Sequence, residues 1–222
     1  MMTDFAELRA EMVERQIAGR GIRDETLLEA FRNVPREEFV GLADRARAYG
    51  DHPLPIGSGQ TISQPYIVAL MIEAAGIGAG DRVLEVGAGS GYAAAVMGRL
   101  GAQVIAIERK PELAAAARDR LERLGFSNVR IVAGDGSCGW AGGAPFDAIL
   151  AAASGRHVPQ PLIDQLAPGG RLVMPVGGQL WTQKLVKIVK LADGGTERES
   201  LGKVRFVPLI GAQGWEENGR AD

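Results

Sequence analysis

The stretch Glu85-Val86-Gly87-Ala88-Gly89-Ser90-Gly91 decides the fold. It ends the short apolar run Arg82-Val83-Leu84-Glu85-Val86, which reads as a strand. Tyr92 to Leu100 follows as an Ala-rich helix. A glycine-rich turn from strand to helix marks a βα unit of an open α/β sheet, and ligands bind where the strand order of such a sheet reverses. Glycines let the backbone turn tightly and approach a ligand with no Cβ in the way. The spacing is informative. The dinucleotide fingerprint Gly-x-Gly-x-x-Gly would need a glycine where Tyr92 stands, which argues against a nicotinamide-dependent oxidoreductase. Here the third glycine, Gly91, falls one residue early, and an acid, Glu85, precedes the first by two.

Working outward, the alternation continues. Gln103-Val104-Ile105-Ala106-Ile107 reads as a second strand. Pro111 to Leu124 reads as a helix, with proline at its start and Gly125 after its end. Val129 to Ala133, Asp147 to Ala151 and Arg171 to Val176 read as further strands, with a short helix over Pro161 to Leu166. Such alternation implies βαβ units, a parallel sheet and right-handed crossovers. Ahead of the loop the chain reads as helical. Leu8, Met12, Arg15 and Gln16 lie on a stretch ending at Gly19 and Gly21. Asp24 is placed to cap a helix carrying Leu27, Leu28, Phe31 and Val34. The segment Tyr49 to Pro65 is too rich in Gly and Pro for a regular element, and Pro65 opens a helix through Ile72. In the tail, Lys184 to Leu191 and Lys203 to Leu209 are β-rich and flank a hairpin turn at Asp193-Gly194-Gly195, which predicts an antiparallel edge. Residues Glu216 to Asp222 read as frayed.

Composition excludes several classes. The chain has 222 residues, 25 Lys+Arg against 27 Asp+Glu, and a formal net charge of −2. No basic excess offers a phosphate-binding face, so a nucleic-acid partner is not expected. Cys138 is the single cysteine, which suits a reducing compartment. The N-terminus is too acidic for a signal peptide, and no apolar run approaches the roughly 20 residues of a membrane span. A cytoplasmic monomer with no membrane association is expected. Glycine is the outlier, at 31 of 222 residues. That is about twice its usual share, so the surplus must sit in specific turns and loops.

The acidic-x-Gly-x-Gly-x-Gly pattern resembles the cofactor loop of S-adenosylmethionine (SAM) methyltransferases. Its chemistry suits a ligand with a cationic sulfonium and an ammonium group but no pyrophosphate, and Glu85 can attract the ammonium. Two further acids stand at strand ends. Glu108, 17 residues beyond Gly91, can accept from ribose hydroxyls, as the offset of about 20 residues in dinucleotide folds suggests. Asp135, within Gly134-Asp135-Gly136, can accept from an adenine amino group. Together the three acids point to an adenosyl cofactor. We assign Gln60, Glu85, Gly87, Ala88, Gly89, Gly91, Glu108, Arg109, Asp135 and Gly136 to cofactor binding, and assign no metal ligand.

The segment Leu54-Pro55-Ile56-Gly57-Ser58-Gly59-Gln60-Thr61-Ile62-Ser63-Gln64-Pro65 narrows the answer. It resembles the motif ahead of the first core strand in protein-L-isoaspartate O-methyltransferases. The likeness extends through Val34-Pro35-Arg36-Glu37-Glu38-Phe39-Val40, Gly134-Asp135-Gly136, Ala144-Pro145-Phe146-Asp147, Gly169 to Gly177 and Phe206-Val207-Pro208-Leu209. The resemblance implies an α/β Rossmann-like methyltransferase fold with a mostly parallel sheet, an antiparallel C-terminal edge and an N-terminal helical extension. It implies one methyltransferase domain over 1–222, with helices and active-site loop in 1–65, a cofactor-binding core in 66–178 and a β extension in 179–222. The implied activity is protein repair: a methyl group passes from SAM to the free α-carboxylate of an L-isoaspartyl residue in damaged proteins and peptides, leaving S-adenosyl-L-homocysteine. Ser63 falls on the family's active-site serine, with Thr61 in the same loop; we read both as catalytic, with an orienting role for the hydroxyls. A carboxylate is already ionised at neutral pH, so no general base is needed. Arg156 and His157 depart from the family's apolar rim, while Ala151 to Gly155 keep its small residues. The alternatives are a SAM methyltransferase for a small-molecule substrate and a SAM-binding module without catalysis.

Overall fold

The computed structural model describes residues 4–178 and 182–217. Asp4 caps α1 (Phe5–Glu11), accepting from Ala6 N and Glu7 N. The helix then widens into π turns over Met12–Ile17 and tightens over Ala18–Arg20 before Gly21 stops it with φ 107°. Asp24 caps α2 (Glu25–Asn33) as expected, accepting from Thr26 N and Leu27 N. After short 3-10 turns come β1 (Leu54–Gly57), β2 (Gln60–Ile62) and α3 (Pro65–Ala75). The alternating core follows as β3 (Arg82–Val86), α4 (Tyr92–Arg99), β4 (Gln103–Glu108), α5 (Pro111–Arg123), β5 (Val129–Ala133), β6 (Phe146–Ala151), α6 (Gln160–Asp164) and β7 (Leu166–Val176). β8 (Gln183–Lys190) and β9 (Thr196–Val204) complete it.

Seven strands form one sheet in the order β5-β4-β3-β6-β7-β8-β9. The five core strands pair in parallel, and β8 and β9 add antiparallel at the edge. The fold is the α/β arrangement that the alternation implies, with its antiparallel end. The chain runs outward from β3 to β5, then returns across β3 to β6. The order therefore reverses at β3, and the glycine loop leaves the sheet at that crevice. Register aligns the strand ends: Val86 sits opposite Ile107 and Ala151, and Glu108 opposite Ala133. Residues 87, 108, 134 and 152 thus leave the sheet along one edge.

Alternate strand residues serve two cores, as a pleat with period two requires. Val83, Ala148, Leu150 and Val173 join α1 to α5 in the larger core, while Leu84, Ile149, Leu172 and Met174 join Leu162 of α6 in the other. Burial on both faces explains why these strands are apolar throughout.

Four sequence expectations need correction. The Tyr49–Pro65 segment is not irregular, because β1 and β2 form an antiparallel hairpin within it. The hairpin turns at Ser58 and Gly59, with φ 50° and 70°. Two consecutive left-handed residues are what a tight two-residue hairpin demands, and Gly59 supplies one of them without strain. β7 starts five residues earlier than its apolar run, through a bulge against β6. The expected strand at 203–209 lies mainly at Thr196–Val204. Its residues 196–200 are all exposed at the sheet edge, so they carry no apolar signature. The expected fraying does not extend to Glu217, which pairs with Arg109; residues 218–222 of that expectation lie outside the described residues.

The Asp24 cap gives a direct stability test. Asp24→Ala is expected to cost about 1 kcal/mol, read as a lower urea midpoint with an unchanged denaturant slope.

Candidate active site

The three loop glycines all take left-handed backbone, with φ 89° at Gly87, 52° at Gly89 and 86° at Gly91. Any side chain would strain this turn. Gly87 N and Ala88 N both donate to the Ile107 carbonyl, at 2.8 and 3.0 Å. The loop is therefore fastened to the end of β4. Its middle is fastened by Glu108, whose two oxygens accept from Gly89 N at 2.8 Å and Lys110 N at 2.9 Å. Above the loop lies the β1–β2 hairpin; a Cβ on Gly89 would come within 3.1 Å of Ile56.

A cleft of about 250 Å³ opens at this point. The hairpin and the loop after it bring in Gln60, Thr61 and Ser63; the glycine loop brings Gly87, Ala88 and Gly89; β3 and β4 bring Glu85, Glu108 and Arg109. Gly136 closes one wall, where a Cβ would press to 2.7 Å from Val86. Residues 206–210 also line the cleft. The structure brings together ten of the residues picked from the sequence and leaves two outside the lining. Gly91 is the cap position of α4, and a Cβ there would meet Leu121 at 3.1 Å, so it serves helix packing and not the cleft wall. Asp135 stands at the rim, with Oδ1 accepting from Ser137 N at 2.8 Å and Oδ2 from Ala212 N at 2.7 Å. Burial works to raise its carboxyl, but these amides outweigh that and hold it below the ordinary value.

Ser63 is not a helix cap. Gln64 occupies the cap position of α3, and no side chain bonds the free amides there. The Ser63 hydroxyl is thus left to the cleft.

Glu85 is the strongest electrostatic feature. It is only 2% exposed, and its Oε2 has no hydrogen-bond partner in the protein. Burial, reinforced by the neighbouring charge of Glu108, pushes its carboxyl up to about 8; the backbone of Ala94 opposes the shift. An orphaned, buried acceptor beside a second carboxylate calls for a cation. The donor and acceptor set suits an adenosyl amino acid: an anionic pocket for its ammonium, a carboxylate end for its ribose and a side-chain-free wall at Gly136.

One part of the site had no clear sequence signal. Residues 209–217 strap the rim of the cleft. Ser137 Oγ accepts from Gln213 N at 3.0 Å, Arg109 pairs with Glu217 at 2.8 Å, and Trp215 Nε1 donates to the Ser154 carbonyl at 2.9 Å. Arg156, read from the sequence as a rim residue, stacks 4.3 Å from the Trp215 ring centroid. His157 is exposed and outside the cleft lining.

Comparison with known proteins agrees with this geometry. The profile of the family Protein-L-isoaspartate(D-aspartate) O-methyltransferase matches residues 7–214. A protein-L-isoaspartate O-methyltransferase 1 from Rhodopseudomonas palustris is 55% identical over 213 residues, covering 96% of this chain and 87% of that one. A protein-L-isoaspartate O-methyltransferase 2 from Pelobacter propionicus is 53% identical, covering 94% and 93%. A solved protein-L-isoaspartate O-methyltransferase superposes with TM-score 0.85 at 32% identity, covering 92% of this chain and 67% of that one. A Plasmodium falciparum β-aspartate methyltransferase, solved with S-adenosyl-L-homocysteine, superposes with TM-score 0.78 at 27% identity, covering 91% and 98%.

Glu85 predicts a pH effect of definite sign. Between its ordinary value of 4.5 and about 8, the unfolded chain is ionised there while the folded protein keeps the proton. The folded state then binds more protons, so this group's contribution to stability falls as pH rises through that window. Glu85→Gln is expected to melt above the wild type, by a margin that grows across the window and levels off beyond it. Adding S-adenosylhomocysteine is expected to raise the melting temperature of the variant less than that of the wild type. Scans across pH with and without that ligand check both.

Proposed function

The chain belongs to the protein-L-isoaspartate(D-aspartate) O-methyltransferase family, and we propose that it repairs aged proteins by methylating the free α-carboxylate of L-isoaspartyl residues. The observation that carries this reading is the placement of the Gln60–Ser63 segment in the same cleft as the glycine loop and Glu85. A loop of hydroxyls facing a cofactor pocket of buried carboxylates supplies both halves of a carboxyl methylation site.

S-adenosylmethionine, when bound, supplies a methyl carbon made electrophilic by its sulfonium, and S-adenosyl-L-homocysteine is its spent form. Glu85 holds the ammonium end, Glu108 the ribose, and Gly87, Ala88, Gly89 and Gly136 give the backbone room to come close. Gln60 and Arg109 close the pocket from the hairpin and from the end of β4. Asp135 and Gly91 shape it from outside, through the strap and through α4.

The protein's task toward the substrate is alignment. The peptide carboxylate is ionised well below neutral pH and needs no base. Hydroxyls from Thr61 and Ser63 hold one of its oxygens while the other faces the methyl carbon. Orientation of this kind accounts for several kcal/mol of a displacement barrier. Residues 206–210 and the strap keep water from the reacting atoms, which strengthens every charge interaction inside. The methyl ester then closes to a succinimide by attack of its own backbone nitrogen and loss of methanol. That step asks nothing more of the protein.

The chain acts on peptides and proteins as a cytoplasmic monomer in this reading. No helix among the described residues is long and apolar enough to cross a membrane. Leu42, 81% exposed, is the one large apolar side chain left open among the described residues, which leaves little surface for a stable apolar interface.

Paired peptides differing only in isoaspartyl or aspartyl linkage test the function. Methyl transfer to the isoaspartyl peptide alone is expected; equal labelling of both, or of neither, would exclude it. Ser63→Ala is expected to lower kcat by roughly 10- to 100-fold while leaving the affinity for S-adenosylhomocysteine nearly unchanged. Calorimetry beside the rate assay separates the two, and a large loss of affinity would make Ser63 a cofactor ligand instead.

A further inference from the structure

Arg36 is a buried charge that the scheme above leaves unused. It opens the 3-10 turn Arg36–Phe39 after α2 and has no exposed surface. A buried guanidinium normally answers a carboxylate, because taking an unpaired charge out of water is costly. Arg36 does not. Its Nε donates to the Ala48 carbonyl at 2.7 Å, and its Nη2 donates to the Ser63 carbonyl at 2.7 Å. Its Cζ lies 4.7 Å from the ring centroid of Tyr92. Tyr92 is the first residue of α4 and meets Phe31 and Phe39 edge-on, with centroids 6.2 and 5.4 Å away.

One planar group thus joins three pieces of the molecule. It lies in the N-terminal helical layer, holds the backbone of Ser63 and rests on the first residue after the glycine loop. Both Ser63 and Tyr92 line the cleft. Apolar packing would tie a loop to a helix at less cost than a buried cation. What a guanidinium adds is direction, because its donors sit in a rigid plane and fix the line of the carbonyl they hold. The Ser63 carbonyl carbon is bonded to the Cα that bears the hydroxyl arm, so its orientation sets where that arm points.

We propose that Arg36 is a positioning residue for methyl transfer, locking the Ser63 backbone against α4 so that a substrate carboxylate held on the Ser63 hydroxyl faces the cofactor loop. The inference rests on the functional reading above. It would give the helical extension a part in catalysis although none of its described side chains lines the cleft.

The test is Arg36→Lys, made alone and in the Ser63→Ala background, with kcat, KM for the isoaspartyl peptide and calorimetric affinity for S-adenosylhomocysteine measured in each. Lysine keeps the charge and loses the fork. Alone, the substitution is expected to lower kcat by roughly 10- to 100-fold, the scale of a small misplacement. KM and product affinity are expected to stay within about threefold, and in the Ser63→Ala background the further loss of kcat to stay within about threefold, because no hydroxyl remains to be aimed. Three results would overturn the inference: kcat close to wild type, the same loss of kcat in both backgrounds, or a matching loss of cofactor affinity. Should the lysine variant not fold, replacing the Ser63–Gln64 amide by an ester weakens the carbonyl acceptor and leaves Arg36 in place. A lower kcat supports the inference and an unchanged one overturns it. A wild type inactive on isoaspartyl peptides overturns the functional reading and this one with it; an active wild type insensitive to these changes overturns this one alone.

Discussion

Two acidic side chains stand near the ends of neighbouring parallel strands with almost no surface open to water. Glu85 is 2% exposed and Glu108 is 6% exposed. The arrangement is costly, and the molecule meets the cost unevenly. Glu108 is given two backbone amides, and Glu85 Oε2 is given nothing. The strand register brings them together, and the reversal of strand order at β3 opens the crevice they face. Much of the remaining architecture supports this crevice: glycines bend the chain out of it, the hairpin covers it, and the C-terminal strap borders it. Stability is given up at the point proposed to receive a cation, which is how binding energy is stored in a site before a ligand arrives.

A second buried charge balances the design from the other side. Arg36 is cationic, and its guanidinium holds the backbone of the loop proposed to present hydroxyls to the substrate. The two ends of the reaction are thus built on opposite electrostatic choices. Anionic groups line the place proposed for a cationic donor, and a cation stands behind the place proposed for an anionic acceptor. The N-terminal helices provide the enclosure that keeps Arg36 dry. Around it, Arg9 bonds both Tyr49 and Glu37, and the Tyr49 hydroxyl donates to Glu37, so the layer is knitted by polar contacts as well as by its core.

The alternating core was legible in the sequence because its strands are buried on both faces and its helices are punctuated by Pro111, Pro65, Gly125 and Asp24. The site was legible where chemistry leaves a mark at short range, as in the Glu85–Gly91 loop and the Gln60–Ser63 segment. What escaped notice depends on contacts distant in sequence. Nothing near Arg36 shows that its guanidinium meets a carbonyl 27 residues later. Nothing near Asp135 shows that Ala212 takes up one of its oxygens. The hairpin at Leu54–Ile62 was hidden because Pro55, Gly57 and Gly59 read locally as a loop, although two of the turn residues adopt the backbone that a hairpin requires. β9 was displaced because an exposed edge strand has no apolar face to announce it.

That polar edge has a consequence for the life of the protein among its targets. An exposed strand edge is an open template for pairing with loose chains. The edge of this sheet presents Thr196-Glu197-Arg198-Glu199-Ser200, with both signs of charge and no apolar side chain. Such an edge resists recruitment into aggregates, and an enzyme whose partners are failing proteins gains from a surface to which they do not adhere.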